Sequence, residues 1–133
     1  MIKRFLLACS IAALACSCND GGNYQKAEDA QDAGREFIRA TLDGNYNKAK
    51  FYLLKNEDNL MLLDRWNTMY KSYSPDTVRQ FKDASISVIN IEPLNDSTTK
   101  FTYSNSFTKD TTAISIVRVS QEWLVDLKTF ISE

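Results

Sequence analysis

Apolar residues in this chain recur at helical spacing over its first half and alternate with polar ones over its second. Ala30, Ala33, Phe37, Ile38 and Thr41 fall three or four apart, with Asp29, Asp32, Arg35 and Glu36 off that stripe. The spacing predicts a helix beginning near Ala27. Gly44 is its natural stop, because glycine takes left-handed backbone angles without a Cβ clash. Asn45 then caps a short second helix through Asn47, Lys48, Ala49, Phe51 and Tyr52. A third helix is predicted from Glu57 to about Tyr73. Asn56 is its cap, and Glu57 and Asp58 occupy the first turn, where the helix dipole favours negative charge. Leu60, Leu63, Trp66, Met69 and Tyr70 form its apolar stripe; Asp64, Arg65, Asn67 and Lys71 form its wet face. Ser74-Pro75-Asp76 starts a fourth, short helix ending near Phe81, with Ser74 as cap and Pro75 at the first helical position.

After Lys82 the period changes to two. Ile86, Val88, Ile89 and Ile91 form a β-branched segment, with Pro93 expected just past its end. Lys100 to Phe107 alternates, with Phe101, Tyr103, Asn105 and Phe107 on one side and Thr102, Ser104, Ser106 and Thr108 on the other. Ala113–Val119 and Trp123–Phe130 complete four strands, separated by Asn95-Asp96-Ser97, Lys109-Asp110 and Ser120-Gln121-Glu122. Such short polar separators suit antiparallel hairpins. In the last strand Trp123, Val125 and Leu127 share the face toward the helices, and Leu124, Asp126, Lys128 and Phe130 share the other. Helices followed by a four-strand antiparallel meander predict an α+β domain, its helices packed on one face of the sheet.

The first 22 residues follow neither period. Lys3 and Arg4 precede an uncharged apolar run from Phe5 to Ala15, then Ala15-Cys16-Ser17, then Cys18, and polarity begins at once with Asn19 and Asp20. A basic start, a short apolar middle and a small-residue exit describe a signal peptide. The run falls short of the roughly 20 residues needed to span a bilayer. A cysteine at the exit resembles the lipobox of bacterial lipoproteins, in which that thiol is acylated and becomes the new N-terminus. The expectation is therefore a leader over 1–17, a lipidated Cys18 with a flexible tether over 18–26, and one domain over 27–133. Cys16, after Ala13-Leu14-Ala15, is the alternative lipidation site, and an ordinary secreted protein is the plainer reading. Localisation follows as the bacterial cell envelope, anchored to the inner or outer membrane through lipid.

Charge and cysteine use narrow the function classes. The chain carries 16 Lys+Arg against 17 Asp+Glu, and losing Lys3 and Arg4 with the leader leaves 14 against 17. A mildly acidic chain without a basic cluster argues against a nucleic-acid partner. The three cysteines, Cys9, Cys16 and Cys18, all precede the domain, so no disulfide staples its body. The chain has no histidine, which removes zinc sites, Ser–His–Asp triads and His-based dyads from consideration. Its four glycines are not spaced as a phosphate loop, and neither metal nor cofactor is expected.

Two groups of residues remain candidates. Tyr52, Trp66, Tyr70, Tyr73, Phe101, Tyr103, Phe107 and Trp123 come from helices and strands expected to face one cavity. Tyr and Trp combine an apolar body with a polar tip, as small-molecule pockets require, although large aromatics also simply fill cores. Asp126 with Tyr103 would supply a strand carboxylate as general base and a phenolic donor, the chemistry of an isomerase or dehydratase. Lys128 flanks Asp126 on its own face, so a solvated ion pair is the simpler expectation. The Thr102, Ser104, Ser106, Thr108 and Ser115 face is either the wet side of the sheet or a flat docking surface for a partner.

Gly44-Asn45-Tyr46-Asn47-Lys48-Ala49, after the helix ending Ala40-Thr41-Leu42-Asp43, resembles the "helix, then G-[DN]-Y-x-K-A" opening of small domains similar to nuclear transport factor 2. Trp123-Leu124-Val125-Asp126-Leu127 resembles their last strand, with Gln121-Glu122 where a glycine often precedes the tryptophan. Together with the lipoprotein start, the chain resembles short Bacteroides-type lipoproteins carrying domain of unknown function 4878. That resemblance, over about residues 27–131, implies a cone of helices and curved sheet around a cavity, with no established activity. The function expected is a membrane-anchored lipoprotein whose non-catalytic domain binds a small apolar ligand or an envelope protein. The pocket enzyme is the alternative.

Overall fold

A computed structural model describes residues 23–129; the leader, Cys16, Cys18, the first tether residues and Phe130 lie outside the described residues. Four helices precede four strands: α1 Ala30–Leu42, α2 Tyr46–Phe51, α3 Glu57–Lys71, α4 Pro75–Asp83, β1 Ile86–Asn95, β2 Thr98–Asn105, β3 Thr112–Val119 and β4 Glu122–Asp126. A 3₁₀ turn, Leu127–Thr129, follows β4. The strands form one antiparallel sheet in the order β1-β2-β3-β4. The chain is an α+β domain, as its periodicity predicts.

The helix starts follow side-chain caps. Asp29 accepts the Asp32 N–H at 2.8 Å, so α1 begins at Ala30 rather than Ala27. Asn56 and Ser74 cap α3 and α4 in the same way. At the end of α1, Asn45 N–H bonds the Ala40 carbonyl at 2.8 Å and Gly44 N–H bonds that of Thr41 at 3.2 Å. This is a Schellman stop, and Gly44 takes the positive φ of 68° it requires. Asn45 then caps α2 by accepting the Lys48 N–H at 3.1 Å. Two consecutive residues, Gly44 and Asn45, close one helix and open the next.

The sheet departs from expectation at both ends. Pro93 lies inside β1, not beyond it, and β1 is the edge strand, where a missing N–H costs no ladder bond. The register shifts at Ile89, which is left exposed. β4 stops at Asp126, short of Phe130. The buried Asn59 side chain takes the N–H groups of Leu127 and Lys128, at 3.0 and 3.1 Å, and turns the chain out of the sheet. The outer edge of β4 is covered by the chain after α2: Leu54 N–H bonds the Val125 carbonyl and Val125 N–H that of Tyr52, both at 2.8 Å.

α1 lies on the inner face. Its Ala33, Phe37, Ile38 and Ala40 are buried together with Phe101, Ile114, Ile116 and Val125 of the sheet. Gly34 sets the depth of that contact. A Cβ there would stand 2.9 Å from Ile116 Cδ1 and 3.0 Å from the Phe101 ring, so the helix backbone itself rests on the strands. Met69, assigned by spacing to the apolar stripe of α3, is 52% exposed. Only part of that helix is covered, and Leu63 is the apolar residue it buries most fully.

The tether expectation also changes over its last residues. Tyr24 packs on Phe51 with ring centroids 5.6 Å apart, Tyr52 donates its hydroxyl to the Gln25 carbonyl at 2.6 Å, and Lys26 pairs with Glu122 at 2.5 Å. Residues 24–26 are strapped to the domain by these three contacts.

Candidate functional site: an aromatic cleft at one end of the helices

The cleft is built on the α1–α2 turn. The Tyr70 ring covers Gly44 so closely that any Cβ at position 44 would collide with it, and Tyr70 donates its hydroxyl to the Leu42 carbonyl at 3.0 Å. Tyr70 therefore fixes α3 against the end of α1 by shape and by one polar bond. From it an aromatic chain extends outward. Tyr70 and Tyr73 sit 6.0 Å apart, Tyr73 stacks on Phe81 of α4 at 5.3 Å, and Phe81 meets Phe107 edge-on at 4.8 Å. Trp66 stands one helical turn before Tyr70 and reaches the core through Phe37 at 6.3 Å.

Trp66, Tyr70, Tyr73 and Phe81 line an open cleft of about 240 Å³ between the end of α1, the last two turns of α3, Phe81 and the β2–β3 turn. Ala40, Leu42, Ala49 and Leu63 form its apolar floor, and Asn67, Asn105 and Thr108 supply polar groups. No Asp, Glu, Lys or Arg is among the residues lining it. Asn105 is held rigidly, accepting from the N–H groups of Phe107 and Thr108 and donating to the Thr108 hydroxyl at 2.9 Å. Tyr46, also in the lining, donates to Asp64 Oδ1 at 2.5 Å, which holds its phenol protonated to higher pH than usual. Burial, and then the Asp43 carboxylate, raises Tyr70 in the same direction. Near neutral pH these phenols are hydrogen-bond donors rather than bases. The arrangement can surround an uncharged ligand and orient it through amides and hydroxyls.

The eight aromatic residues predicted to face one cavity do not share one. Trp66, Tyr70 and Tyr73 line the cleft, and Phe107 supports it through Phe81. Phe101 and Tyr103 belong to the core, at 0% and 8% exposure. Tyr52 and Trp123 lie beside the N-terminal strap. The separation follows from geometry: α2 runs back along α1, so Tyr52 at its C-terminal end leaves the cleft that Tyr46 and Ala49 line. Sequence reasoning missed Phe81, Asn67 and Asn105. The signal for Phe81 was its place two turns into α4, but nothing in the sequence places α4 against Tyr73.

Tyr103 and Asp126 are not brought together. Tyr103 pairs with Thr112 and shares the inward parity of Ile114 and Ile116, whereas Asp126 pairs with Ser115 on the outward parity. Burial pushes the Tyr103 phenol up to about 12, with the Thr112 hydroxyl opposing. Asp126 Oδ1 accepts from the Asn59 amide at 3.2 Å and from Lys128 N–H at 3.1 Å. The Lys128 ammonium pairs with Asp58 at 3.0 Å, and that bond, with a smaller contribution from the Asp126 carboxylate, raises its pKa. Among the described residues no group of three or more metal-ligating side chains assembles, and no helix is long and apolar enough to cross a membrane.

No family model matches the chain, and no curated protein matches it. Among solved structures it is similar to an NTF-2 like protein of unknown function from Shewanella oneidensis MR-1. The two are 14% identical over 70% of this chain and 88% of that one, with a TM-score of 0.45.

Proposed function

We propose that this chain is an envelope lipoprotein, held at a membrane by acyl chains on Cys18, whose domain binds a small uncharged ligand in the aromatic cleft. The observation that carries the binding reading is the cleft itself, about 240 Å³ with five large aromatic side chains (Tyr46, Trp66, Tyr70, Tyr73 and Phe81) and no charged residue in its lining. Burying an unpaired charge there would cost far more than an apolar contact returns, so the ligand is neutral. A cavity near 150 Å³ holds benzene, so this one suits a ligand of about ten non-hydrogen atoms. The lipoprotein reading rests on the lipobox-like Ala15-Cys16-Ser17-Cys18 and on the resemblance to lipoproteins with domain of unknown function 4878 in the nuclear transport factor 2-like group. Acyl chains contribute about 0.8 kcal/mol per buried methylene, enough in combination to hold the domain at a bilayer.

Two experiments test the two halves. In a Trp123→Phe background Trp66 is the single reporter, and its emission is expected to change on titration with 2-naphthol and not with 2-naphthalenesulfonate. An unchanged spectrum with both, and no small molecule carried through native mass spectrometry, overturns the binding reading. Cys18→Ala is expected to release the protein from membranes; continued membrane association overturns the anchor.

A further inference from the structure

The strap and the cleft lie at opposite ends of the domain. Lys26 of the strap pairs with Glu122, and Glu122 stands opposite Val119 at the β3–β4 hairpin. By register, that hairpin is at the same end of the sheet as the β1–β2 hairpin, since Thr98 pairs with both Asn95 and Val117. The cleft takes Asn105 from the end of β2 and Thr108 from the turn after it, at the other end. The eight residues of β2 put about 23 Å between the two ends, at roughly 3.3 Å per residue. α1 agrees: it starts beside the strap and finishes in the cleft wall, a rise of about 18 Å.

Only five residues run from Cys18 to Asn23, where the described chain begins. Fully extended they reach at most about 17 Å, less than the length of the sheet. The strap contacts thus shorten the tether from the eight residues before Ala27 to five, which keeps the strap end within about 17 Å of the anchor and nearer to it than the cleft end. The same end also exposes apolar side chains: Leu94 is 54% and Val119 43% exposed, one on each hairpin arm. Charge there is mixed, with Arg118 and Lys26 beside Asp96 and Glu122, so contact would be carried by apolar groups rather than by a basic patch.

We infer that the hairpin end, with Leu94 and Val119, is a membrane-docking surface for zwitterionic lipid, and that the cleft opens on the side away from the bilayer. This rests on the Cys18 anchor proposed above. A ligand then reaches the cleft from the aqueous phase rather than from the lipid.

The test uses the full chain, processed and purified from membranes and reconstituted into phosphatidylcholine vesicles, with Leu94→Cys, Val119→Cys or Thr108→Cys labelled by an environment-sensitive fluorophore. Lipids carrying a quencher near the headgroup are expected to remove most of the emission from positions 94 and 119 and none from 108. Equal quenching at all three, or quenching at 108 alone, overturns the orientation while vesicle flotation still upholds the anchor. A blue shift at 94 and 119 that requires no lipid assigns the surface to a second copy and overturns the membrane as its occupant. Failure of the unlabelled protein to float with vesicles removes the anchor, and the docking surface with it.

Discussion

Replacing Asn59 tests whether one buried amide ends the sheet. Its side chain is fully buried and makes four bonds: Nδ2 donates to the Leu54 carbonyl at 2.9 Å and to Asp126 at 3.2 Å, while Oδ1 accepts from Leu127 and Lys128 N–H. Asn59→Ala removes all four, but their losses are unequal. The Leu54 carbonyl keeps the Asn56 N–H, and Lys128 N–H keeps Asp126. Leu127 N–H, in a residue 1% exposed, loses its side-chain partner. An orphaned buried donor costs about 1–3 kcal/mol. The void left by a carboxamide adds roughly 1 kcal/mol at the usual cost per unit of cavity volume. The expected loss is therefore about 3 kcal/mol, or roughly 12–20 °C in Tm for a domain of this size.

Asn59→Asp separates charge from shape. It keeps both acceptor bonds and replaces the donor facing Asp126 with a second carboxyl. Burial and the neighbouring carboxylate raise the new group's folded-state pKa above the unfolded value near 3.9. A raised folded pKa contributes stability that is present at low pH and lost as pH rises through it. The variant is therefore least impaired below about pH 4 and worsens toward neutrality. Urea titrations of wild type and both variants between pH 3.5 and 8 measure this. An Asn59→Ala midpoint equal to wild type, or an Asn59→Asp stability that tracks wild type with pH, would refute the reasoning.

Further outcomes follow from the same geometry. Tyr103, neutral and buried with its phenol raised from 10.0 to about 12, contributes stability present below its unfolded pKa and lost as pH climbs between those values. That contribution is roughly 2–3 kcal/mol, and alkaline unfolding of Tyr103→Phe should be correspondingly shallower; an identical alkaline limb counts against it. Arg39 donates to the carbonyls of Phe81, Lys82 and Ala84 at 3.3, 3.1 and 2.7 Å, closing the end of α4 against α1. Arg39→Met should cost about 2 kcal/mol and speed amide exchange in α4, and unchanged exchange there would show that the cap is idle. Gly44→Ala combines a positive φ with a collision against Tyr70, so about 1–3 kcal/mol should be lost and the Trp66 environment should change in near-ultraviolet circular dichroism.

Local chemistry made the elements legible. The caps Asn45, Asn56 and Ser74, the stop at Gly44 and the change of period after Lys82 act within a few residues, so the helices, the strands and their order follow from the chain alone. Boundaries failed where a distant residue intervened. α1 moved only to its own Asp29 cap, but β4 ended early because of Asn59, more than sixty positions away. Gly34 reads in sequence as a weak point in a helix, and only the packing of Ile116 and Phe101 shows why it is tolerated there.

The candidate site divides along the same line. Sequence alone determined that residues 27–133 carry no histidine or cysteine, and it singled out their aromatic residues as the candidates for a binding site. Tertiary structure decided which aromatics share a space. Trp66, Tyr70 and Tyr73 are neighbours through helical periodicity, but their partners Phe81 and Asn105 arrive from elements whose placement depends on the Arg39 cap and the β2–β3 turn. Period and composition report what one segment presents to its surroundings. Which surroundings it meets is set by long-range packing, and so the sequence reveals a cleft-forming composition while only the fold reveals the cleft.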